Sequence, residues 1–516
     1  MPETAFAKIR SKVKQPWVIC FGTTLLLGIL AHLYKLTNWL PNWDSLVFRY
    51  DAQNMTHLGR WFLSVACGFS SYYELPWLSG ILCLIFLALG AVCICEIFSV
   101  QKNITAALIG GITAVFPTVT STLTYCYVAD GYCMAFFFSC LAALLLVKGG
   151  TRNNAVAVLL ITLSFAIYQA YITVTVILVL VSLIDDLLFQ AKAAAASLKK
   201  AGTYILCGIL GGALYYGILQ LILTLSGNAL LDYQGIENAM SLSGLSIYEF
   251  LYKSVHLFLD VFFDSFEQVN LYVILNCCML AATALLMLVA ALRTHIFTPW
   301  YRGVLLLLYV AATPFGASLL YLINPSLDYH NLMRMGYIGY YILFILFYER
   351  MSDLPPKVHI TKAWGILLTT VLVIANMTVI ANVSYHKLQM SYEKSYGTLL
   401  RITDRIEQTE GSENCDRILV IGALEGSKAY FVNLPPEITG VTDSYILRAD
   451  DAVVGQSVLC SALNDYCGKN YTFLSGAEAD TLKGTPAVQS MPCWPRNGCI
   501  QIQKDVIIIK LSENVE

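Results

Sequence analysis

The sequence predicts an all-α polytopic membrane protein of about eleven transmembrane helices with a small C-terminal α/β domain outside the membrane. Three observations predict it. Of 516 residues, 57% are hydrophobic and only 13% charged, about half the charged share of soluble domains, and mean hydropathy is +0.64. Apolar stretches long enough to cross a bilayer recur from residue 17 to residue 384. Beyond them, residues 385–516 read as water-soluble. A net charge of -2 gives no bulk basicity, so no nucleic-acid partner is expected.

Residues 1–16 form a basic N-terminus with Lys8, Arg10, Lys12 and Lys14. The apolar run 17–36 outlasts a signal-peptide core and ends in Tyr34, Lys35 and Asn38 rather than a small-residue cleavage site, so it reads as a retained span. Further spans are expected at 75–98, 104–123, 132–148, 203–225, 270–292, 303–323, 335–348 and 363–384. The stretch 154–184 is too long for one ordinary span and short for two, with a polar, aromatic break at Tyr168-Gln169-Ala170-Tyr171.

Charge decides how 154–184 is read. With the N-terminus in the cytoplasm and two passes meeting near Gln169, fifteen Lys and Arg lie inside. Five lie outside: Lys35, Arg49, Arg60, Lys253 and Arg334. That asymmetry is the positive-inside signature. A single pass would move Lys192, Lys199 and Lys200 outside and invert every later loop. The membrane domain is thus 17–384, with a first outer loop at 37–74, and 385–516 is an extracytoplasmic domain.

That tail starts with a polar helical stretch around 386–409, followed by β-like runs at Arg417–Leu424, Tyr445–Leu447 and Val506–Leu511. It carries 17 acidic and 12 basic residues. Five of the 16 cysteines lie in it; pairs such as Cys460–Cys467 or Cys493–Cys499 suit an oxidising exterior, and reduced thiols suit the sequence equally.

The outer loops hold eleven acidic residues, among them Asp232, Glu237, Glu267 and Asp328. The first loop reads Asn42-Trp43-Asp44-Ser45, Arg49-Tyr50-Asp51, then Gly59-Arg60-Trp61. At helical spacing Asp44 and Asp51 would share one face, two turns apart. A carboxylate there can accept a proton at the membrane surface; a solvated loop with interfacial tryptophans is the plainer alternative.

These elements resemble the Gtr-type O-antigen glucosyltransferases, a branch of the GT-C membrane glycosyltransferases. The resemblance rests on Asp44 and Gly59-Arg60-Trp61 in the first loop, on Phe116-Pro117 with Tyr125–Asp130 after the third span, and on the Tyr168–Tyr171 break. It covers roughly residues 20–350. It implies a GT-C-like fold and an inverting glycosyltransferase that takes a hexose, glucose by that likeness, from a polyprenyl phosphate sugar.

Compartment chemistry points the same way. Nucleotide sugars are absent outside the cytoplasm, so an outward-facing transferase needs a membrane-borne donor and a glycan or glycolipid acceptor. Asp44 is the expected base, deprotonating the acceptor hydroxyl, and Asp51 a second catalytic carboxylate orienting the acceptor. Arg60 and Arg334 suit the departing phosphate, Arg334 having interfacial snorkelling as its alternative. Asp130 is expected to touch the sugar or position Arg60, with a helix-start role as the alternative. Trp61, Tyr168, Gln169 and His330 complete the expected donor and substrate contacts. No cofactor is called for; a divalent ion between Asp44, Asp51 and Asp130 is left open, since scattered carboxylates are not a metal signature. The segment Leu245–Gln268 reads as an amphipathic helix on the outer leaflet.

Two other classes fit an outward-facing membrane protein. A flippase or transporter of a lipid-linked sugar predicts internal repeats, and none is found beyond the Gln169 break. A surface-polysaccharide polymerase or ligase predicts a large, basic late loop, whereas 324–334 is short.

Overall fold

The computed structural model describes residues 3–4, 11–190, 192–230, 247–264, 270–324, 327–350, 356–424, 436–441 and 452–513. Asp232, Glu237, Glu267 and the strand expected at Tyr445–Leu447 lie outside them. Among the described residues, eight helices are long and apolar enough to cross a membrane: Gln15–Thr37, Pro76–Ile97, Asn103–Thr124, Ala129–Lys148, Gln169–Leu188, Ala194–Ser226, Leu271–Arg293 and Lys357–Glu407. The protein is a multi-pass membrane protein. The other expected segments form helices too, Thr151–Ile167, Trp300–Ala317 and Ile338–Arg350.

Local chemistry sets the breaks. Helices begin with proline in the first turn at Gln15–Thr37, Pro76–Ile97 and Pro117–Thr124, where its missing N–H costs nothing. Phe116, with ψ 136°, interrupts the third span because the residue before proline is pushed out of the helical region. The stretch 154–184 is likewise two helices: Tyr168 is extended (φ −157°, ψ 117°), and a 3-10 turn, Gln169–Tyr171, precedes Ile172–Leu188.

The chain divides into two compact units, one of 1–38 and 50–382, the other of 39–49 and 383–516. The boundaries fall inside the first loop and inside a single helix, Pro356–Glu407. The sequence suggests a span followed by a separate polar helix; the two are one uninterrupted helix of 52 residues.

In the first unit, buried carboxylates tie loop ends together. Asp185 accepts both Nε (2.8 Å) and Nη2 (3.1 Å) of Arg350, and Asp186 pairs with Lys192 and Lys200 at 2.5 and 2.6 Å. Such charges are costly in an apolar bundle unless paired in this way.

The second unit is built on a four-stranded sheet of order β2-β1-β4-β3, from β1 (Arg417–Ile421), β2 (Thr472–Phe473), β3 (Ile500–Gln503) and β4 (Val506–Lys510). β1 is parallel to β2 and to β4, and β3 is antiparallel to β4. The continuous apolar runs of β1 and β4 are what a parallel sheet covered on both faces requires. Ile418 and Val420 enter one core, Leu419 and Ile421 the other. β2 and β3 escaped the sequence reading because they are short and half polar. The tail cysteines Cys415, Cys460, Cys467, Cys493 and Cys499 are unbridged.

The segment Leu245–Gln268 is described from Ile247 to Asp264: a helix, Ile247–Leu259, continued by a π-helical turn at Asp260–Asp264. Phe250 and Leu257 are buried while Tyr248 and Tyr252 are exposed, the two-faced pattern expected of it.

Candidate active site

Within the first unit, three segments distant in sequence meet around Arg60. The first is the loop before it. Met55 pairs with Arg60 as an isolated antiparallel bridge, and a 3-10 turn at Thr56–Leu58 closes on Gly59. Gly59 has φ +77°, a left-handed conformation that favours glycine. A Cβ there would also collide with the Tyr215 hydroxyl and stand 2.9 Å from Gln169 Nε2. The crowding reflects two hydrogen bonds: Tyr215 donates to the Gly59 carbonyl (3.0 Å), and Gln169 Nε2 to the Leu58 carbonyl (3.1 Å). The Phe62 N–H adds a bond to Ala166 O at 3.0 Å. The Tyr168–Tyr171 break thus releases polar groups that grip the Gly-Arg-Trp element.

The second segment is that break. Tyr168 lies under the Arg60 guanidinium, 4.7 Å from ring centroid to carbon, and stacks on Tyr132 at 4.4 Å and 6°. Arg60 Nη1 donates to the Tyr132 hydroxyl at 2.9 Å. A planar guanidinium on an aromatic face keeps its orientation, as a lysine could not.

The third is the turn at 327–337. The Thr118 hydroxyl donates to Asn331 O at 2.9 Å, fastening this turn to the helix after Pro117. Arg334 bonds the Tyr329 carbonyl through Nε (3.2 Å) and pairs through Nη2 with Asp260 at 2.6 Å. His330 is held neutral: burial, opposed by Asp328 and reinforced by the positive fields of Arg334 and Arg60, lowers its pKa to about 4. Its Nδ1 is buried with no hydrogen-bond partner. A neutral imidazole and two guanidiniums therefore share one neighbourhood, suited to a phosphate group.

Other expected site residues are placed differently. The helix carrying Asp44 is only Trp43–Phe48; Arg49 is extended and Tyr50 has φ +59°. Asp44 and Asp51 therefore share no helical face, and they fall in different units. Just beyond that turn, Asp51 Oδ1 accepts the Gln53 N–H at 2.7 Å, a local turn-forming bond. Asp130 has two hydrogen-bond partners of its own. Its buried carboxylate accepts the Ser70 hydroxyl and, at 3.0 Å, the Gly131 N–H in the first turn of Ala129–Lys148. Trp61 packs edge-on against Phe62 at 5.9 Å, its Nε1 buried without a hydrogen-bond partner. Among the described residues, no three His, Cys, Asp or Glu side chains are grouped so as to hold a metal ion.

Tyr132, Tyr215, Tyr329 and Asp260 join this cluster without being singled out by the sequence. In a chain with 31 tyrosines no local signal separates them from packing residues.

An apolar helical bundle thus gathers guanidiniums, a neutral imidazole and stacked tyrosines at its breaks, an arrangement able to hold an anionic group. The family model described as glucosyl transferase GtrII matches residues 33–348, more than half of the chain. The chain belongs to that family and is a glycosyltransferase, in agreement with the resemblance read from the first loop. No curated protein and no solved structure matches it.

Proposed function

We propose that the chain moves a hexose, glucose by its family, from a polyprenyl phosphate sugar to a cell-surface glycan or glycolipid on the outer face of the membrane. The observation that carries this is the convergence of Arg60, His330 and Arg334 on one neighbourhood from loops some 270 positions apart, within the family-matched region. Arg60 and Arg334 hold the donor phosphate and stabilise its charge as the glycosidic bond breaks. Tyr168 and Gln169 keep Arg60 in place. Asp44 takes the proton of the acceptor hydroxyl as that oxygen attacks the anomeric carbon opposite the phosphate, inverting it. Asp51 orders the loop between them. The N-terminus is cytoplasmic, the chain crosses about eleven times, and the second unit is extracytoplasmic.

The test is to incubate purified enzyme in lipid with polyprenyl phosphate glucose and a surface-glycan extract. Release of polyprenyl phosphate coupled to glucose incorporation is expected. Movement of intact lipid-linked sugar between leaflets without cleavage would support a flippase instead. Growth of a chain from lipid-linked oligosaccharide would support a polymerase or ligase.

A further inference from the structure

The helix that carries Asp44 has six residues, Trp43–Phe48. A helix of fewer than two turns has no stability of its own in water, so what it packs against decides whether it exists. Its first turn is closed locally: the Asn42 side chain accepts the Ser45 N–H at 3.0 Å. Further support comes from the far end of the chain. Leu46, 4% exposed, is a member of the buried cluster that contains Leu399, Ile402, Leu459 and Leu463. Trp39 lies between two partners, with the Arg49 guanidinium 4.5 Å from its ring centroid and the Tyr466 ring at 5.3 Å. Tyr466 in turn contacts Tyr392 at 5.7 Å and Tyr396 at 6.0 Å. Arg49 Nη1 meets Asp465 Oδ2 at 3.1 Å, closing the segment at its other end.

Residues 39–49 therefore belong to the second unit in packing, although they lie within the family-matched region and their supports, 392–399 and 459–466, lie beyond it. We infer that the C-terminal unit is a working part of the transferase: Trp39, Arg49, Asp465 and Tyr466 are positioning residues that hold the Asp44 helix in its active conformation. This rests on the reading of Asp44 as the base. The ion pair alone is near the surface and weak, so the aromatic clamp carries most of the effect. A carboxylate whose helix is loosened loses rate rather than donor affinity, because proton removal depends on fixed geometry while the donor phosphate is bound elsewhere.

The experiment compares the full-length wild type, Trp39→Ala, Tyr466→Ala, the charge reversal Asp465→Arg and the double reversal Arg49→Asp/Asp465→Arg, all in lipid nanodiscs. Hydrogen exchange at residues 43–48 is read beside kcat and donor KM. The expected result is exchange at least roughly tenfold faster in Trp39→Ala and Tyr466→Ala. Alongside it kcat falls roughly 10- to 100-fold with donor KM nearly unchanged, and the double reversal regains activity lost in Asp465→Arg. Unchanged exchange in both aromatic variants overturns the inference, as does faster exchange with unchanged kcat. Failure of the base assignment is separate: it shows as full activity in Asp44→Asn, whatever the exchange data give.

Discussion

The Tyr215 hydroxyl donates to the Gly59 carbonyl at 3.0 Å across 156 positions of sequence. That contact sits directly before Arg60, so the glycine is where the guanidinium's placement is decided. In Gly59→Ala, the left-handed φ and the collision with Tyr215 both act, together costing about 1–3 kcal/mol. Transfer by purified Gly59→Ala should fall about tenfold or more, measured per mole of folded enzyme.

Arg60 is held by stacking on Tyr168 and by donating to Tyr132. Arg60→Lys keeps the charge and loses both the planar stack and the fork. Donor KM should rise roughly tenfold in Arg60→Lys and more in Arg60→Ala. Steady-state kinetics with varied polyprenyl phosphate glucose checks this; an unchanged KM in both would remove Arg60 from donor binding.

His330 has a folded pKa of about 4, below the ordinary 6.5. Between those values the unfolded chain holds a proton there that the native protein does not, so His330 makes stability rise with pH across that window. Stability is lost as pH falls from 6.5 toward 4 and is insensitive to this group above 6.5. Thermal denaturation midpoints measured from pH 4.5 to 7 should climb less steeply in His330→Gln than in wild type.

Asp44 and Asp51 should separate in their effects. Asp44→Asn is expected to abolish transfer with membrane expression intact. Asp51→Asn keeps an acceptor for the Gln53 N–H and should cost less than about tenfold, the difference of about 1 kcal/mol between a charged and a neutral hydrogen bond. Equal losses in the two variants would contradict their assigned roles.

Asp130 is engaged by Ser70 and by the Gly131 N–H. Ser70→Ala would leave a buried carboxylate short of a donor, a loss of about 1–3 kcal/mol. Detergent-solubilised Ser70→Ala should denature at lower temperature while kcat of the surviving enzyme changes little.

Much of this was legible in sequence, for identifiable reasons. Apolar run length gave the helices, and the Gln169 break was visible because a polar side chain interrupts a long apolar stretch. Gly59-Arg60-Trp61 was visible as an ordered motif, though the reason for its glycine, a tyrosine on a distant helix, was not. Helical spacing misled at Asp44 and Asp51, since the helix stops at Phe48 and Tyr50 turns left-handed between them, which periodicity does not register. Asp130 stood out by charge alone, and its bond to the Ser70 hydroxyl left no trace in the sequence. The membership of residues 39–49 in the C-terminal core had no signal, because packing between segments so far apart leaves no periodic trace in one sequence.

The bond between Arg49 and Asp465 spans 416 positions. At about 5–20 residues per second, a ribosome needs about 20–80 s to travel from one to the other. Through that interval the first loop is already made while its partners are not, so the segment bearing Asp44 waits undocked. The Trp43–Phe48 helix gains its packing partners only late in synthesis, and a chain interrupted before Tyr466 would hold the complete family-matched region without them.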